Sequence, residues 1–384
     1  MDNITAIAIF ASAWFGLFAV LRVFKTERWG IIAKPFYLMY KTTALNRFIE
    51  RIAQKRRFCW LVAWNISSAL AVGQISFIFY SLSKNAYLFF QKPDQASQVV
   101  ILVPGLTISL ESLPYVLVSL IVVIVTHEFA HGIASLAERI PLKSSGVFLA
   151  LVLPGAFVEI DEEQLEKARP STKLRIFSAG ASTNIAVGML VLLLLANFTL
   201  TISPLYHPQS SGVIITELVP GGAAENVGIK KWDTILNLNG TPVRGVEELR
   251  QYMNNAVPNS TLTVTTGRGD FTIKTQASPQ YPTKALIGIV PFDYFAPKAQ
   301  ALPKNLPYQV YMTENWMSMI LVNVGLVNML PLGPLDGGKF TDTVLKTLKI
   351  KKAKEIGTAI TAACIIILGL NLLLSFLRFG LARV

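Results

Sequence analysis

Long apolar stretches alternate with short polar segments along the chain, which has 384 residues. Six of these stretches are long enough, or nearly so, to cross the roughly 30 Å hydrocarbon layer of a bilayer. They cover residues 4–21, 58–82, 113–137, 176–202, 315–330 and 356–379. The pattern predicts a polytopic α-helical membrane protein with about six transmembrane helices.

The segment between residues 201 and 313 has a different character. Apolar and polar residues alternate there in short runs such as 212–216 and 261–265, and Gly and Asn mark turns between the runs. Period-two alternation is typical of half-buried β-strands. We therefore expect four regions: 1–112 with N-terminal transmembrane helices and a basic loop, 113–203 with the first half of a membrane core, 209–292 with an inserted α+β domain, and 314–384 with the second half of the core and the last helix.

Composition and charge agree with a membrane protein. The chain is 52% hydrophobic with a mean hydropathy of +0.48, which is too apolar for a soluble protein of this size. The net charge of +12 does not indicate nucleic-acid binding, because the basic residues lie in short loops beside apolar stretches. Residues 22–57 hold ten Lys or Arg and residues 339–355 hold six Lys, so both loops should be cytoplasmic. This places the inserted domain and both termini outside, with residues 4–21 as a retained anchor.

Two of the chain's three histidines lie in the third apolar stretch, in the sequence His127-Glu128-Phe129-Ala130-His131. An ionisable side chain at mid-membrane costs at least ~2.5 kcal/mol, so such a cluster indicates a site. On a helix the two imidazoles lie on one face roughly 5–6 Å apart, close enough to bind one zinc ion. Glu128 then lies beside the open position of the metal, where a carboxylate can act as a general base.

A chance match and a structural zinc site are the alternative explanations of this motif. A chance match is on the order of one in a thousand in a chain with so few histidines. Structural zinc sites are usually closed by four ligands rich in Cys, whereas Cys59 and Cys364 lie in separate apolar stretches. The same separation offers no disulfide framework. The motif therefore favours catalysis.

A zinc site needs a further protein ligand, and Asp336 is the best candidate. The apolar stretch that starts near residue 315 stops after about 24 Å, where Pro331 and Pro334 break the helix. Asp336 then falls in the inner half of the bilayer, at a depth similar to that of His131, which lies near the cytoplasmic end of its own helix. Broken backbone at this depth must be buried in protein or line a wet cavity. An ordinary loop at the membrane surface is the alternative.

With these motifs the chain resembles the site-2 proteases, the intramembrane zinc metalloproteases of regulated intramembrane proteolysis. His127, Glu128 and His131 match the HExxH motif of that family, residues 328–337 match its NxxPxxxLDG motif, and residues 177–180 match its FxAG segment. The resemblance covers most of the chain. It implies a zinc endopeptidase that cleaves transmembrane segments of membrane-anchored substrate proteins, with the Glu of HExxH as general base.

The resemblance also implies roles for individual residues. The matching ligands His127, His131 and Asp336 would bind Zn²⁺. Asn323 and Asn328 match positions that contact substrate in relatives with a PDZ domain, and they would hold the substrate backbone or its developing oxyanion.

Within the inserted domain, residues 212–215, 220–224, 233–240 and 246–253 follow one another in the order of bacterial-type PDZ domains. Trp232 stands where the usual pattern has a Gly, so the turn there is expected to differ. PDZ domains bind extended peptides or carboxyl termini by adding a strand to a sheet edge. A passive spacer is the alternative.

Three other features carry less specific signals. Residues 141–160 resemble eukaryotic-type members of the family and are predicted to form an apolar hairpin, with an amphipathic connector as the alternative. Residues 36–58 resemble an interfacial helix on anionic lipid, although their charges could simply set the orientation. Asn184 could polarise the site or make a helix–helix hydrogen bond, which is the more common use of an intramembrane Asn.

These predictions combine into a multi-pass membrane protein with its active site in the cytoplasmic half of the bilayer and its PDZ-like domain outside. The cysteine-rich luminal insertion of the eukaryotic enzymes is absent, which favours a prokaryotic, archaeal cell membrane. A non-catalytic PDZ-type membrane receptor or scaffold with a structural metal is the alternative. A metal-ion carrier would need more intramembrane acidic or histidine residues than the chain supplies.

Overall fold

The computed structural model describes residues 3–24, 26–103, 105–150 and 153–380. Two compact units form within it, one from Met1–Leu190 with Trp316–Val384 and the other from Val191–Asn315. We call the first the helical unit and the second the insert unit.

The described residues form helices α1 (Asn3–Val23), α2 (Ala44–Lys55), α3 (Arg57–Gln91), α4 (Leu113–Ala137), α5 (Glu162–Lys167), α6 (Pro170–Ala196), α7 (Phe198–Ile202), α8 (Ala223–Asn226), α9 (Val246–Asn255), α10 (Leu306–Asn328), α11 (Asp336–Thr347) and α12 (Ala353–Phe379). The strands are β1 (Ile31–Lys34), β2 (Tyr37–Thr42), β3 (Leu142–Ala150), β4 (Leu153–Ile160), β5 (Tyr206–Leu218), β6 (Thr234–Leu238), β7 (Thr241–Pro242), β8 (Thr261–Thr266), β9 (Gly269–Lys274), β10 (Gln276–Ala277), β11 (Ala285–Leu286) and β12 (Ile289–Pro297).

Among the described residues four helices, α3, α4, α6 and α12, are long and apolar enough to cross a membrane. Helix α4 has the same bounds as the predicted stretch 113–137. The stretches predicted at 4–21 and 315–330 fall mostly in α1 and α10, which are not among these four helices. The structure therefore supports a polytopic helical membrane protein.

The helical unit is packed through small side chains and exposes large apolar ones. Ala130 and Ala134 of α4 belong to a buried cluster that also contains Ile49 of α2. Small side chains allow helices to approach closely. Phe58 and Ile366, in contrast, are 78% and 61% exposed on α3 and α12. A surface of this kind suits lipid rather than water.

A four-stranded antiparallel sheet in the order β1-β2-β3-β4 completes the helical unit, with β4 at its edge beside α4. The hairpin predicted over residues 141–160 is present as β3 and β4. The prediction of a helix over residues 36–58 is wrong in its first part, because β2 pairs with β3, for example Tyr40 with Val147. The partner strand is far along the chain, so the local pattern does not reveal it.

The insert unit contains an antiparallel sheet in the order β12-β5-β6-β8-β9, with β7 paired to β6. Its core includes Val213, Ile235 and Val264 from the strands and Leu249 from α9. The sheet begins with β5 and ends with β12, so it extends beyond the predicted bounds 209–292 at both ends. Strand β12 lies at the edge of the sheet, where it has β5 as its neighbour on one side.

A buried carboxylate fixes the unusual turn of this unit. Trp232 adopts the left-handed backbone (φ 73°) that a Gly would adopt more easily, and Asp233 follows it. Arg268 donates hydrogen bonds of 2.7 and 2.5 Å to Asp233, and the Lys230 N–H donates one of 2.8 Å. Burial by itself raises the pKa of Asp233, but the Arg268 hydrogen bonds and charge and the backbone bond hold that pKa below its usual range.

Candidate metal centre

Helix α4 places both histidines on one face. His127 and His131 are one turn apart, their ring centroids are 4.7 Å apart, and their Nε2 atoms are 3.1 Å apart. Helix α4 runs for 25 residues without a break, so the helical period alone sets this common face.

Asp336 reaches the same point from the second half of the helical unit. After α10 the chain turns back, and α11 begins at Asp336. Gly337 permits this close return, because a Cβ there would lie 2.2 Å from the Met329 carbonyl oxygen. Asp336 Oδ2 lies 3.0 Å from His131 Nε2 and 3.2 Å from His127 Nε2. The structure thus brings together the three side chains expected to be ligands.

These three side chains form a group that could hold a metal ion. Their ligand atoms all lie within 4.8 Å of one another. Their side chains are between 11% and 13% exposed, so the group is nearly enclosed but not sealed. Two imidazole nitrogens and one carboxylate oxygen are a ligand set that binds zinc.

The second ring nitrogen of each histidine also has a partner. His131 Nδ1 lies 2.8 Å from the carbonyl oxygen of Ile176 on α6. His127 Nδ1 lies 3.3 Å from the side-chain amide of Asn184, also on α6, and Thr126 Oγ1 lies 2.8 Å from the other end of that amide. Such outer contacts fix ring orientation and ring tautomer at metal sites. Asn184 therefore makes both the helix–helix contact and the contact to the site that the sequence left as alternatives.

The position of Gly180 explains why the FxAG segment ends in a glycine. A Cβ at this position would lie 2.5 Å from His131 Nε2 and 2.7 Å from His127 Nδ1. Real Cβ atoms do not approach other atoms so closely, so any larger residue would displace the imidazoles. Helix α6 can lie against the histidine face of α4 only because this residue has no side chain.

Glu128 lies beside the group and contacts the sheet. Its Oε2 accepts a hydrogen bond of 3.1 Å from the N–H of Val158 on β4. Glu128, both histidines and Asp336 line one cavity of about 350 Å³ in the helical unit. The cavity is large enough for several water molecules beside the group.

A second carboxylate on the same cavity has a different environment. Glu159 accepts hydrogen bonds of 2.5 Å from Lys41 and from Ser144. The Lys41 hydrogen bond, followed by that of Ser144, holds the pKa of Glu159 below its usual range. Glu159 is therefore poorly suited to accept a proton, whereas Glu128 lies next to His127 in the sequence and lines the same cavity as the three ligand candidates.

The two asparagines expected to contact substrate lie in different surroundings. Asn328 lines the cavity. Asn323 is exposed, and its side-chain amide donates a 2.8 Å hydrogen bond to the Met319 carbonyl oxygen of its own helix. The structure brings Asn328, but not Asn323, to the cavity.

Sequence reasoning missed several residues that shape the centre. Ile176 acts through its backbone carbonyl, which no sequence motif reveals. The contact between Val158 and Glu128 depends on where the edge of β4 lies relative to α4. Thr126, next to His127, gave no signal of its own, because a hydroxyl in an apolar helix usually bonds its own backbone.

Comparison with known proteins identifies the family to which the chain is related. Residues 115–370 match the family model described as peptidase family M50. The matched range contains the HExxH motif, the insert unit and the segment with Asp336.

Three relatives are similar over different lengths. The uncharacterized protein MJ0971 of Methanocaldococcus jannaschii is 28% identical over 267 residues, which are 69% of this chain and 65% of that protein. A membrane-bound transcription factor site-2 protease homolog of Arabidopsis thaliana is 29% identical over 38% of this chain and 28% of that protein. Cj1068 of Campylobacter jejuni, named as a zinc metalloprotease, is 24% identical over 48% of this chain and 62% of that protein. The chain thus covers less than two thirds of the length of each relative.

A solved structure, the PDZ domain of the SdrC-like protein from Listeria monocytogenes, matches a part of the chain. It is 20% identical, covers 21% of this chain and 87% of that one, and has a TM-score of 0.19.

Proposed function

Because the chain belongs to peptidase family M50, we propose that it is an intramembrane zinc endopeptidase that cleaves transmembrane segments of membrane-anchored proteins in regulated intramembrane proteolysis. The family membership confirms the resemblance to site-2 proteases. The observation that carries the proposed activity is the meeting of His127, His131 and Asp336 beside Glu128 in one cavity.

The geometry of the group fits zinc. Ligand atoms about 2.0–2.1 Å from one tetrahedral zinc ion lie about 3.3 Å apart. The separations here are 3.0, 3.1 and 3.2 Å. Three protein ligands leave one coordination position open, as catalytic sites require. A bound zinc ion would supply Lewis acidity and lower the pKa of water at that position.

Glu128 is the residue that we assign as the general base. One of its oxygens accepts the Val158 N–H, so the other oxygen is free to take a proton from water and later give it to the leaving amine. Asn328 would hold the substrate backbone or the scissile carbonyl oxygen as its charge develops. Asn323, exposed on α10, would contact substrate outside the cavity.

The free edge of β4 suits an unwound substrate. Cleavage requires a transmembrane helix to open, and its released amides then need hydrogen-bond partners. Along this edge the Val158 N–H already donates to Glu128, whereas the amide of Ala156, two residues earlier, faces the same side away from β3. We propose that the opened substrate segment pairs along this edge.

The charge distribution supports six membrane crossings. Helices α1 and α10 would supply the two crossings beyond the four long apolar helices. The insert unit would then lie outside a prokaryotic, archaeal cell membrane, and the metal group would lie in the cytoplasmic half of the bilayer. As a PDZ-like domain with edge strand β12, the insert unit would bind a peptide or carboxyl terminus and so admit or exclude substrates.

Substitution Glu128→Gln tests the proposed mechanism. The variant keeps an acceptor for the Val158 N–H and keeps all three ligands, so it should retain bound zinc while its cleavage rate falls by about 10²–10⁴-fold. Zinc is measured by elemental analysis of the purified protein. Cleavage is measured on single-span membrane proteins recovered in a pull-down with the inactive variant.

Glu159→Gln is the matched control, because Glu159 lines the same cavity but is held by Lys41 and Ser144. This variant should keep most of the activity. Undiminished cleavage by Glu128→Gln would refute the assigned base.

A further inference from the structure

The two histidines of the metal group differ in what holds their second ring nitrogen. His131 Nδ1 faces the Ile176 carbonyl oxygen, which can only accept a hydrogen bond. Nδ1 of His131 therefore carries the proton, and Nε2 presents its lone pair to the metal position. His127 Nδ1 faces the side-chain amide of Asn184 instead: as placed, the amide nitrogen lies 3.3 Å from Nδ1 and the amide oxygen lies 2.8 Å from Thr126 Oγ1. An amide has a donating end and an accepting end, so its orientation decides which nitrogen of His127 can bind a metal.

The orientation with the amide nitrogen of Asn184 toward His127 conflicts with a metal at Nε2. If that nitrogen donated to Nδ1, the proton of the neutral imidazole would sit on Nε2. Yet Nε2 is the atom that lies 3.2 Å from Asp336 Oδ2 and 3.1 Å from His131 Nε2. The two ends of a side-chain amide have nearly the same shape, so half a turn exchanges them without moving a neighbour.

The hydroxyl of Thr126 is satisfied in the rotated orientation. Thr126 Oγ1 lies 2.8 Å from the Asn184 amide and 2.8 Å from the Val122 carbonyl oxygen, but it has only one proton. After rotation it donates to Val122 and accepts from the Asn184 nitrogen. The Asn184 oxygen accepts from His127 Nδ1–H. Asn184 is fully buried, so surface water does not compete for these bonds.

We propose that Asn184 is a positioning residue whose amide oxygen faces His127 and keeps Nε2 of that ring free to bind the metal. The Asn184 amide oxygen accepts the Nδ1–H of His127, as the Ile176 carbonyl oxygen accepts the Nδ1–H of His131. The proposal rests on the proposed function for the identity of the metal, but it concerns affinity and not cleavage.

The test compares two substitutions at position 184 by zinc competition against a chromophoric chelator and by the absorption spectrum of bound Co²⁺. Asn184→Leu removes the acceptor, and we expect zinc affinity to fall about 10–100-fold. Asn184→Asp keeps an oxygen facing Nδ1–H, and its affinity should stay within about threefold of the original. If the amide nitrogen were the contacting atom, Asn184→Asp would lose as much affinity as Asn184→Leu.

Asn371→Leu provides the matched control. Asn371 on α12 is also fully buried and donates to the Leu82 carbonyl oxygen, outside the metal group. Its loss should leave zinc affinity unchanged. If Asn184→Leu does not fold, Thr126→Val tests the same chain of bonds, with an expected loss of several-fold.

Two results would overturn the inference: unchanged zinc affinity in Asn184→Leu, or in Thr126→Val when that variant stands in, and equal losses in the Leu and Asp variants. These results differ from a failure of the proposed function. An original protein that binds no zinc would refute the proposed enzyme, whereas one that binds zinc regardless of residue 184 would remove only the role of Asn184.

Discussion

The helical unit and the insert unit differ in the side chains that they expose and in the polar side chains that they bury. In the insert unit, Val213, Ile235 and Val264 fill the core, as in a water-soluble domain. In the helical unit, His131 and Asn184 are buried while apolar side chains such as Ile366 are exposed. These buried polar groups of the helical unit are shielded from bulk water, and both His131 and Asn184 take part in the contacts around the metal group. The difference fits a lipid-facing surface on the helical unit and a water-facing surface on the insert unit.

Gly180→Ala should have the largest effect of these changes, and the effect should be confined to the metal group of the helical unit. The added Cβ would overlap both imidazoles, so we expect zinc affinity to fall about 100-fold or more. Competition with a chelator measures the loss, and the insert unit should keep its normal amide exchange. Gly369→Ala on α12 is the control, since no atom lies within 4 Å of a Cβ built there. Tight zinc binding by Gly180→Ala would show that α6 does not lie against the histidines as described.

The same change from Ile to Ala should have different effects in the two units. Ile235 is fully buried in the insert unit, and Ile235→Ala should cost about 2–5 kcal/mol of its free energy of unfolding. Ile366 is 61% exposed on an apolar helix, and Ile366→Ala should cost less than about 0.5 kcal/mol in a bilayer. Hydrogen exchange of the protein in nanodiscs measures the first change, and denaturant unfolding in mixed micelles measures the second. Similar costs at both positions would contradict the assignment of lipid to the outer surface.

Arg268→Met should weaken the insert unit without affecting the metal group. The substitution leaves the buried Asp233 carboxylate with its backbone partner alone, so amides of β6 and β8 should exchange about tenfold faster. Arg250→Met is the control, because Arg250 pairs with Glu247 on the exposed face of α9. Zinc affinity should be unchanged in both variants, and a loss of zinc in Arg268→Met would argue against separate roles of the two units.

Acidic pH should also weaken the insert unit, but by less than Arg268→Met does. The folded pKa of Asp233 lies below its unfolded value of about 3.9, so its contribution to stability is fully present above that value. As pH falls through the folded pKa, the carboxylate is protonated and this contribution is lost. Exchange of insert-unit amides, corrected for intrinsic rates, should therefore accelerate below about pH 4. Arg268→Met should flatten this pH dependence, and an unchanged slope would show that other carboxylates control it.

Local patterns in the sequence predicted the features that are set within a single helix. The bounds of α4 and the shared face of His127 and His131 follow from helical period and apolar length alone. The position of Asp336 relative to them was inferred from charge bias and helix rise, and the structure brings its carboxylate to both rings.

What the sequence did not predict depends on the registration of distant segments. Asn184 contacts His127 only because α6 lies against α4 at one relative height, which Gly180 permits. Strand β2 forms only because β3 supplies its partner, and a short run with aromatic residues reads equally well as part of an amphipathic helix. Chemistry can therefore be read from single motifs here, while the contacts that tune it cannot.

The separation of His131 and Asp336 by 205 positions also sets when the centre can exist during synthesis. A nascent chain exposes the two imidazoles early, but it lacks the carboxylate until α11 has been made and threaded into place. Most of the polypeptide is therefore synthesised before all three groups can meet. A fragment that ends before α11 lacks one of the three groups that meet at the centre, and it should bind a metal ion more weakly than the whole chain.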